Sequence, residues 1–191
     1  MRKTGQVRII AGKWKRRTLQ FPDREDLRPS ADAIRETVFN WLTPYLKDSR
    51  CLDLFAGSGA FGFEAISRGA HRAVLIEYDR ETVTHLQQNA ANLDKKNQLR
   101  IHCQNASLYL DSCAKPFDII FLDPPFKWNN YDELFNEVMK SECLQDETWI
   151  YIESPKSKTP LPIPKTWHII RESSRGMVQS TLAISRELVD E

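Results

Sequence analysis

The stretch "CLDLFAGSGAFGFEAISRGAHRAVLIEYD", residues 51–79, constrains the fold of this chain more than any other. Its two ends are short apolar runs suited to buried strands, and between them lie a glycine-rich turn and a helical segment stopped by Gly69. A strand, crossover helix and second strand of this length leave the two strands parallel.

The alternation continues downstream. "RETVTHLQQNAANL" repeats Val83, Leu86, Ala90 and Leu93 on one helical face, and a short strand "LRIHC" follows. Next come a short helix starting near Asn105, the strand "FDIIFLD", a helix over about 131–141 and the strand "TWIYIES". Strands apolar on both faces predict a mostly parallel, doubly wound α/β sheet. The rhythm breaks at the end: "TWHIIRE" and "VQSTLAISRE" meet at a turn around Gly176, which predicts an antiparallel hairpin that finishes a seven-stranded sheet.

A small hairpin, about 6–11 and 17–21, precedes this unit. In "LRPSADAIRETVFNWLTPYL", Ile34, Val38, Leu42 and Tyr45 have helical spacing and Ser30 suits an N-cap. The expected organisation is a basic hairpin extension over 1–29 and a main domain over 30–191.

Composition narrows the function classes. Hydrophobic and charged fractions of 41% and 28% are those of a soluble globular protein. No apolar run approaches a membrane span, and "MRKTGQVRII" lacks the apolar core of a secretory signal, so a cytoplasmic protein is expected. Cys51, Cys103, Cys113 and Cys143 form no C-x-x-C pair, and His71, His85, His102 and His168 are scattered. Reduced thiols and no metal site follow as expectations. Net charge is +1, yet residues 1–40 hold ten Lys/Arg against five Asp/Glu, which makes the N-terminus the basic end. Within it, Lys13, Lys15, Arg16 and Arg17 surround Trp14, a composition suited either to phosphates with one stacking aromatic or to a solvated hairpin tip.

Two constellations carry chemistry. Gly57, Gly59 and Gly62 of "DLFAGSGAFG" fit G-x-G-x-x-G between a strand and a helix, and Glu77 closes the next strand about twenty residues on. Glycines let backbone approach a ligand, and the carboxylate accepts hydrogen bonds from ribose hydroxyls. This predicts a nucleoside site but leaves NAD and S-adenosylmethionine both open. Asp53, four residues before the first glycine, disfavours a pyrophosphate and suits a cationic amino-acid moiety.

The second constellation is the strand tip Asp123, Pro124, Pro125 and Phe126. Prolines make it stiff and extended, and the carboxylate and carbonyls make it rich in acceptors. Ligands of open α/β sheets sit beyond the carboxyl ends of the strands, which sets this tip beside the glycine loop. Such acceptors suit an exocyclic amine on a nucleobase: hydrogen bonds from its N–H groups to Asp123 and the Pro124 carbonyl favour pyramidal nitrogen and free its lone pair. Phe126 is placed to stack on the base.

With both motifs in hand, the chain resembles the class I, Rossmann-like S-adenosylmethionine methyltransferases, whose amino-methylating branch carries [D/N]-P-P-[F/Y]. More narrowly it resembles the RsmD family of bacterial small-subunit ribosomal RNA guanine-N2 methyltransferases. "GQVRIIAGKWKRRTLQFP", "LRPSADAIRETVFNWL", "CLDLFAGSGAFGFEAISRGA", "IEYD" and "FLDPPF" occur in the family's order, and "RPSADAIRETVFNWL" is the family-specific part.

The resemblance implies a donor pocket shaped by Asp53, Phe55, Ala56, Gly57 and Gly59, with Glu77 on the ribose. It implies Asn105 near the adenine amino group, a position that an N-cap role also explains. Asp123, Pro124, Pro125 and Phe126 would hold a guanine turned out of its stack. Arg28, Arg35 and Glu36 would contact RNA or the donor carboxylate, or fix the helix by a salt bridge. The expected partner is 16S ribosomal RNA or a small-subunit assembly intermediate, acted on by a monomer. Adenine N6, a protein glutamine, an NAD-dependent oxidoreduction and a non-catalytic RNA-binding module are the alternatives.

Overall fold

The computed structural model describes residues 4–24, 27, 29–125, 128–157 and 159–186. Two strands, β1 (Thr4–Arg8) and β2 (Thr18–Pro22), pair antiparallel apart from the main sheet. The main sheet holds β3 (Arg50–Asp53), β4 (Arg72–Glu77), β5 (Leu99–Cys103), β6 (Ile119–Leu122), β7 (Trp149–Pro155), β8 (Trp167–Arg175) and β9 (Val178–Ser185). Its order is β5-β4-β3-β6-β7-β9-β8; the first five strands run parallel, and β9 is antiparallel to β7 and β8. This is the doubly wound, Rossmann-like arrangement with a closing hairpin whose second strand lies inside the first.

The helices are α1 (Asp32–Leu46), α2 (Ala60–Ser67), α3 (Arg80–Leu93), α4 (Ala106–Ser112) and α5 (Tyr131–Lys140). Side chains alternate across a strand, so a strand buried on both faces must be apolar throughout. In β6, Ile119 and Phe121 join a core with α1, α2 and α3, whereas Ile120 and Leu122 join a second core with α4 and α5. The third glycine of the loop belongs to this packing. A Cβ on Gly62 would lie 2.6 Å from Leu75 Cδ1, so only glycine lets α2 sit this close to β4.

Three details differ from the sequence expectations. The first hairpin strand ends at Arg8, because Gly12–Trp14 winds into a single 3-10 turn at the tip. Tyr45 does not join the buried face of α1; Leu46, at strict fourfold spacing from Ile34, Val38 and Leu42, takes that place, and the exposed Tyr45 stacks on Trp149 at 3.9 Å between centroids. Cys113 and Cys143 are joined by a disulfide rather than held as reduced thiols. The chain folds the end of α4 against the segment after α5, with Cα atoms 5.7 Å apart, a proximity that a separation of 30 residues conceals.

The hairpin is attached through its own apolar residues and backbone hydrogen bonds. Val7, Ile9, Trp14, Leu19 and Phe21 enter the same core as α1 and α2. Backbone N–H groups of Ile10 and Ala11 donate to the two carboxylate oxygens of Glu64 at 2.8 and 2.9 Å, and Gln20 and Asn89 exchange two hydrogen bonds. The extension is therefore an outer layer laid along α2 and α3.

Candidate active site

The strand order reverses between β3 and β6, which pair directly through Asp53 and Phe121, and a cavity of about 950 Å³ opens at the carboxyl ends of these strands. Its volume is that of a small-molecule site. Phe55, Ala56, Gly57, Glu77 and Asn105 line it together with Asp123, Pro124 and Pro125, so the glycine loop and the acidic strand tip face one space. Phe126 and Arg28 lie outside the described residues.

The donor half is built from the turn upward. Gly59 caps α2 at φ +78°, left-handed backbone that glycine adopts without penalty, and a Cβ there would meet Leu86 at 2.6 Å. Glu77 Oε2 accepts the Gly57 N–H at 3.0 Å and its Oε1 accepts the Asp79 N–H at 2.9 Å. Each oxygen retains a lone pair for a further donor. Burial raises the Glu77 pKa, and the N–H bonds from Asp79 and Gly57 oppose that rise. Asn105 caps α4, its Oδ1 accepting the Leu108 N–H at 2.8 Å, and still lines the cavity. Among the expected donor residues, Asp53 and Gly59 are absent from the lining. Asp53 is buried beneath the turn, where its Oδ2 accepts the Gly62 N–H at 3.0 Å. Burial pushes its pKa up to about 7.

The acceptor half holds residues that sequence reasoning missed. Asp123 keeps part of its surface open to the cavity, and its Oδ2 lies 3.0 Å from Ser30 Oγ. Ser30 Oγ is also 2.8 Å from Glu153 Oε2, which Tyr151 OH meets at 2.9 Å. Burial, then the neighbouring Glu153, push Asp123 well above the usual carboxylate range, and burial raises Glu153 too. Ser30 does not serve as an N-cap: Ala31 holds that position without a side-chain bond, because the Ser30 hydroxyl is turned toward the two acids. Glu153 carried one legible signal, a charge at the end of an otherwise apolar central strand.

Two residues assigned to RNA are elsewhere engaged. Trp14 is buried, its ring 6.1 Å from Phe63 and its backbone N–H donating to Ser67 Oγ, so it is not free to stack on a base. Arg35 is fully buried; its guanidinium donates to Ser30 O, Arg8 O and Asp32 Oδ1 and lies 3.7 Å from Glu64. It is the joint between hairpin, α1 and α2, the salt-bridge role. Glu36 is exposed on α1. Lys13, Lys15, Arg16 and Arg17 are exposed, and Lys13 bonds Gln98 at the start of β5. They cluster at the end of α2 away from the cavity, about 12 Å along the helix from the glycine turn.

A family model described as "Conserved hypothetical protein 95" matches residues 7–184. A relative from Escherichia coli (strain K12) named "Ribosomal RNA small subunit methyltransferase D" is 43% identical over 92% of this chain and 88% of its own length. The chain belongs to the RsmD family. A member of the same name from Haemophilus influenzae is 39% identical, covering 93% of each chain. Among solved structures, "Putative methyltransferase yhhF" from Escherichia coli superposes with a TM-score of 0.87 at 42% identity, over 95% of this chain and 99% of that one. This chain thus shares its fold with that structure over nearly its full length.

Proposed function

We propose that this chain transfers a methyl group from S-adenosylmethionine to the exocyclic N2 of a guanine in small-subunit (16S) ribosomal RNA, free or in an assembly intermediate. The observation that carries the reading is that Glu77 and Asp123 line one cavity, with the glycine turn between them. Two relatives named ribosomal RNA small subunit methyltransferase D support the substrate class.

The residues suit the donor. Glu77 offers carboxylate lone pairs to ribose hydroxyls, Gly57 and Gly59 keep the turn open, and Asp53 supplies a negative charge beneath it when ionised. When bound, S-adenosylmethionine supplies an electrophilic methyl carbon on a sulfonium. The Asp123 carboxylate and the Pro124 carbonyl accept the two N–H bonds of the guanine amine, which localises the nitrogen lone pair for in-line attack. Orientation of this kind supplies about 7–11 kcal/mol in favourable cases. The methyl group would pass to nitrogen with the S–C bond electrons staying on sulfur, and the displaced N–H proton would pass to the Asp123 carboxylate.

Calorimetry with S-adenosylmethionine and with NAD tests the donor, and Asp123→Ala tests the acceptor. The variant should lose turnover and keep RNA affinity. Tight NAD binding without any response to S-adenosylmethionine, or an unchanged methylation rate in the variant, would contradict the reading.

A further inference from the structure

The Ser30 hydroxyl carries one hydrogen and stands between two acids, 3.0 Å from Asp123 Oδ2 and 2.8 Å from Glu153 Oε2. Both separations are hydrogen-bond lengths, and one hydrogen fills only one of them. The other requires a carboxylic acid hydrogen pointing at Ser30 Oγ. Proton counting therefore places a proton on the pair whenever this geometry holds. Tyr151 OH, 2.9 Å from Glu153 Oε2 and 3.1 Å from Ser180 Oγ, indicates which acid holds it. With Tyr151 and Ser30 both donating to Glu153, Asp123 is the acid and Glu153 the carboxylate.

A protonated Asp123 is the wrong partner for an amine whose hydrogens need acceptors. We infer that Glu153 and Ser30 are positioning residues for Asp123: Glu153 takes the Asp123 proton through the Ser30 hydroxyl when the amine binds, leaving Asp123 as the carboxylate that the amine requires. This rests on the methyl-transfer reading given above. The Asp123 hydrogen passes to Ser30 Oγ as the Ser30 hydrogen passes to Glu153. Ser30 then donates to Asp123, and the Glu153 acid donates to Ser30. After methyl transfer the N–H electron pair stays on nitrogen and Asp123 takes the proton. Both acids are then neutral, and one proton is lost to solvent through the open cavity as product leaves, so one proton is released per methyl group.

Burial raises both carboxyl pKa values, and for Asp123 the neighbouring Glu153 adds to the rise, in agreement with a retained proton. The described titratable groups that act on the pair are Asp53 on β3, Tyr151 on β7 and Tyr131 at the start of α5. Tyr131 OH is buried without a hydrogen-bond partner among the described residues, and burial, then the two acids, raise its pKa to about 12, so it stays neutral throughout.

Infrared difference spectra of the ligand-free protein at neutral pH test the shared proton independently of activity. Asp123→Asn and Glu153→Gln each leave one of the two carboxyls in place, yet each should lose one protonated-carboxyl band. Bands unchanged in both variants would overturn the inference, whatever the enzyme methylates. Single-turnover methylation against pH gives the second readout. Glu153→Gln leaves no second carboxyl to take the Asp123 proton, so Asp123 must ionise by itself and the acid limb should move up by about one pH unit. Cutting the relay in Ser30→Ala should move it up and lower the rate at pH 7 at least tenfold, with Ser30→Thr restoring both. A uniform loss of rate at all pH values, with the limb unmoved in either variant, would reduce the two residues to scaffolding and refute the inference. The carboxyl bands with no methylation of any RNA would instead leave the shared proton standing and remove the methyl-transfer reading.

Discussion

The Gly57 N–H donates to Glu77 Oε2 at 3.0 Å, so the carboxylate proposed to take the ribose also fixes the glycine turn beside it. Glu77→Gln turns one acceptor into an N–H2 donor facing backbone N–H groups of Gly57 or Asp79. A buried donor left opposite another donor costs about 1–3 kcal/mol. Denaturant unfolding should show roughly that loss, and S-adenosylmethionine affinity should fall as well because one carboxylate acceptor is gone, while RNA affinity holds.

Asp53 predicts a pH dependence of known sign. Its folded pKa, pushed up to about 7 by burial, lies above the ordinary value near 3.9. Between those values the folded protein keeps a proton that the unfolded chain has lost. Its contribution to stability is therefore complete below about pH 4 and declines as pH rises toward 7, by at most a few kcal/mol. Denaturant titrations of Asp53→Asn should show a flatter stability profile over that window; Glu77, raised in the same direction, retains part of the slope. A cationic donor favours ionised Asp53, so its binding should release a proton below pH 7, visible by calorimetry in buffers of different ionisation enthalpy.

Arg35→Met removes one of two cations beside the buried Glu64, which keeps Arg68 Nε at 2.7 Å, and strips Ser30 O, Arg8 O and Asp32 of a buried donor. Leaving such groups unpaired costs about 1–3 kcal/mol, more where the donor was charged. Thermal or denaturant unfolding should show this loss, and the salt dependence of RNA binding by the folded variant should match the parent's. A changed salt slope with unchanged stability would return Arg35 to an RNA-contacting role.

Neutralising Lys13, Lys15, Arg16 and Arg17 should weaken RNA binding and flatten its dependence on log salt by about 0.7–0.9 for each phosphate no longer neutralised. Since these side chains sit at the end of α2 opposite the glycine turn, donor affinity should not change. Trp14→Ala separates charge from packing. It should destabilise the fold by about 3–5 kcal/mol, because the ring is core rather than surface.

What the sequence made legible follows its periodicities. α3, β5 and the strand tip at Asp123 lie where alternation and helical spacing put them, because buried strands and amphipathic helices leave repeating apolar marks. The meeting of Gly57, Glu77 and Asp123 at one cavity followed from the rule for open sheets. Burial of isolated polar or aromatic residues left no such mark. Trp14 amid cations read as surface, and Ser30 before a helix read as a cap. Glu153 meets Ser30 across a separation of 123 residues, and Ser30 meets Asp123 across 93, and no local pattern joins such positions.

The most direct measurement supplies tritiated S-adenosylmethionine and this protein to small ribosomal subunits, their assembly intermediates and their free RNA from cells lacking it, then maps the label. The account predicts tritium on the N2 of one guanine, and none with Asp123→Ala. Label on an adenine, on a ribosomal protein, or on no acceptor at all would contradict it.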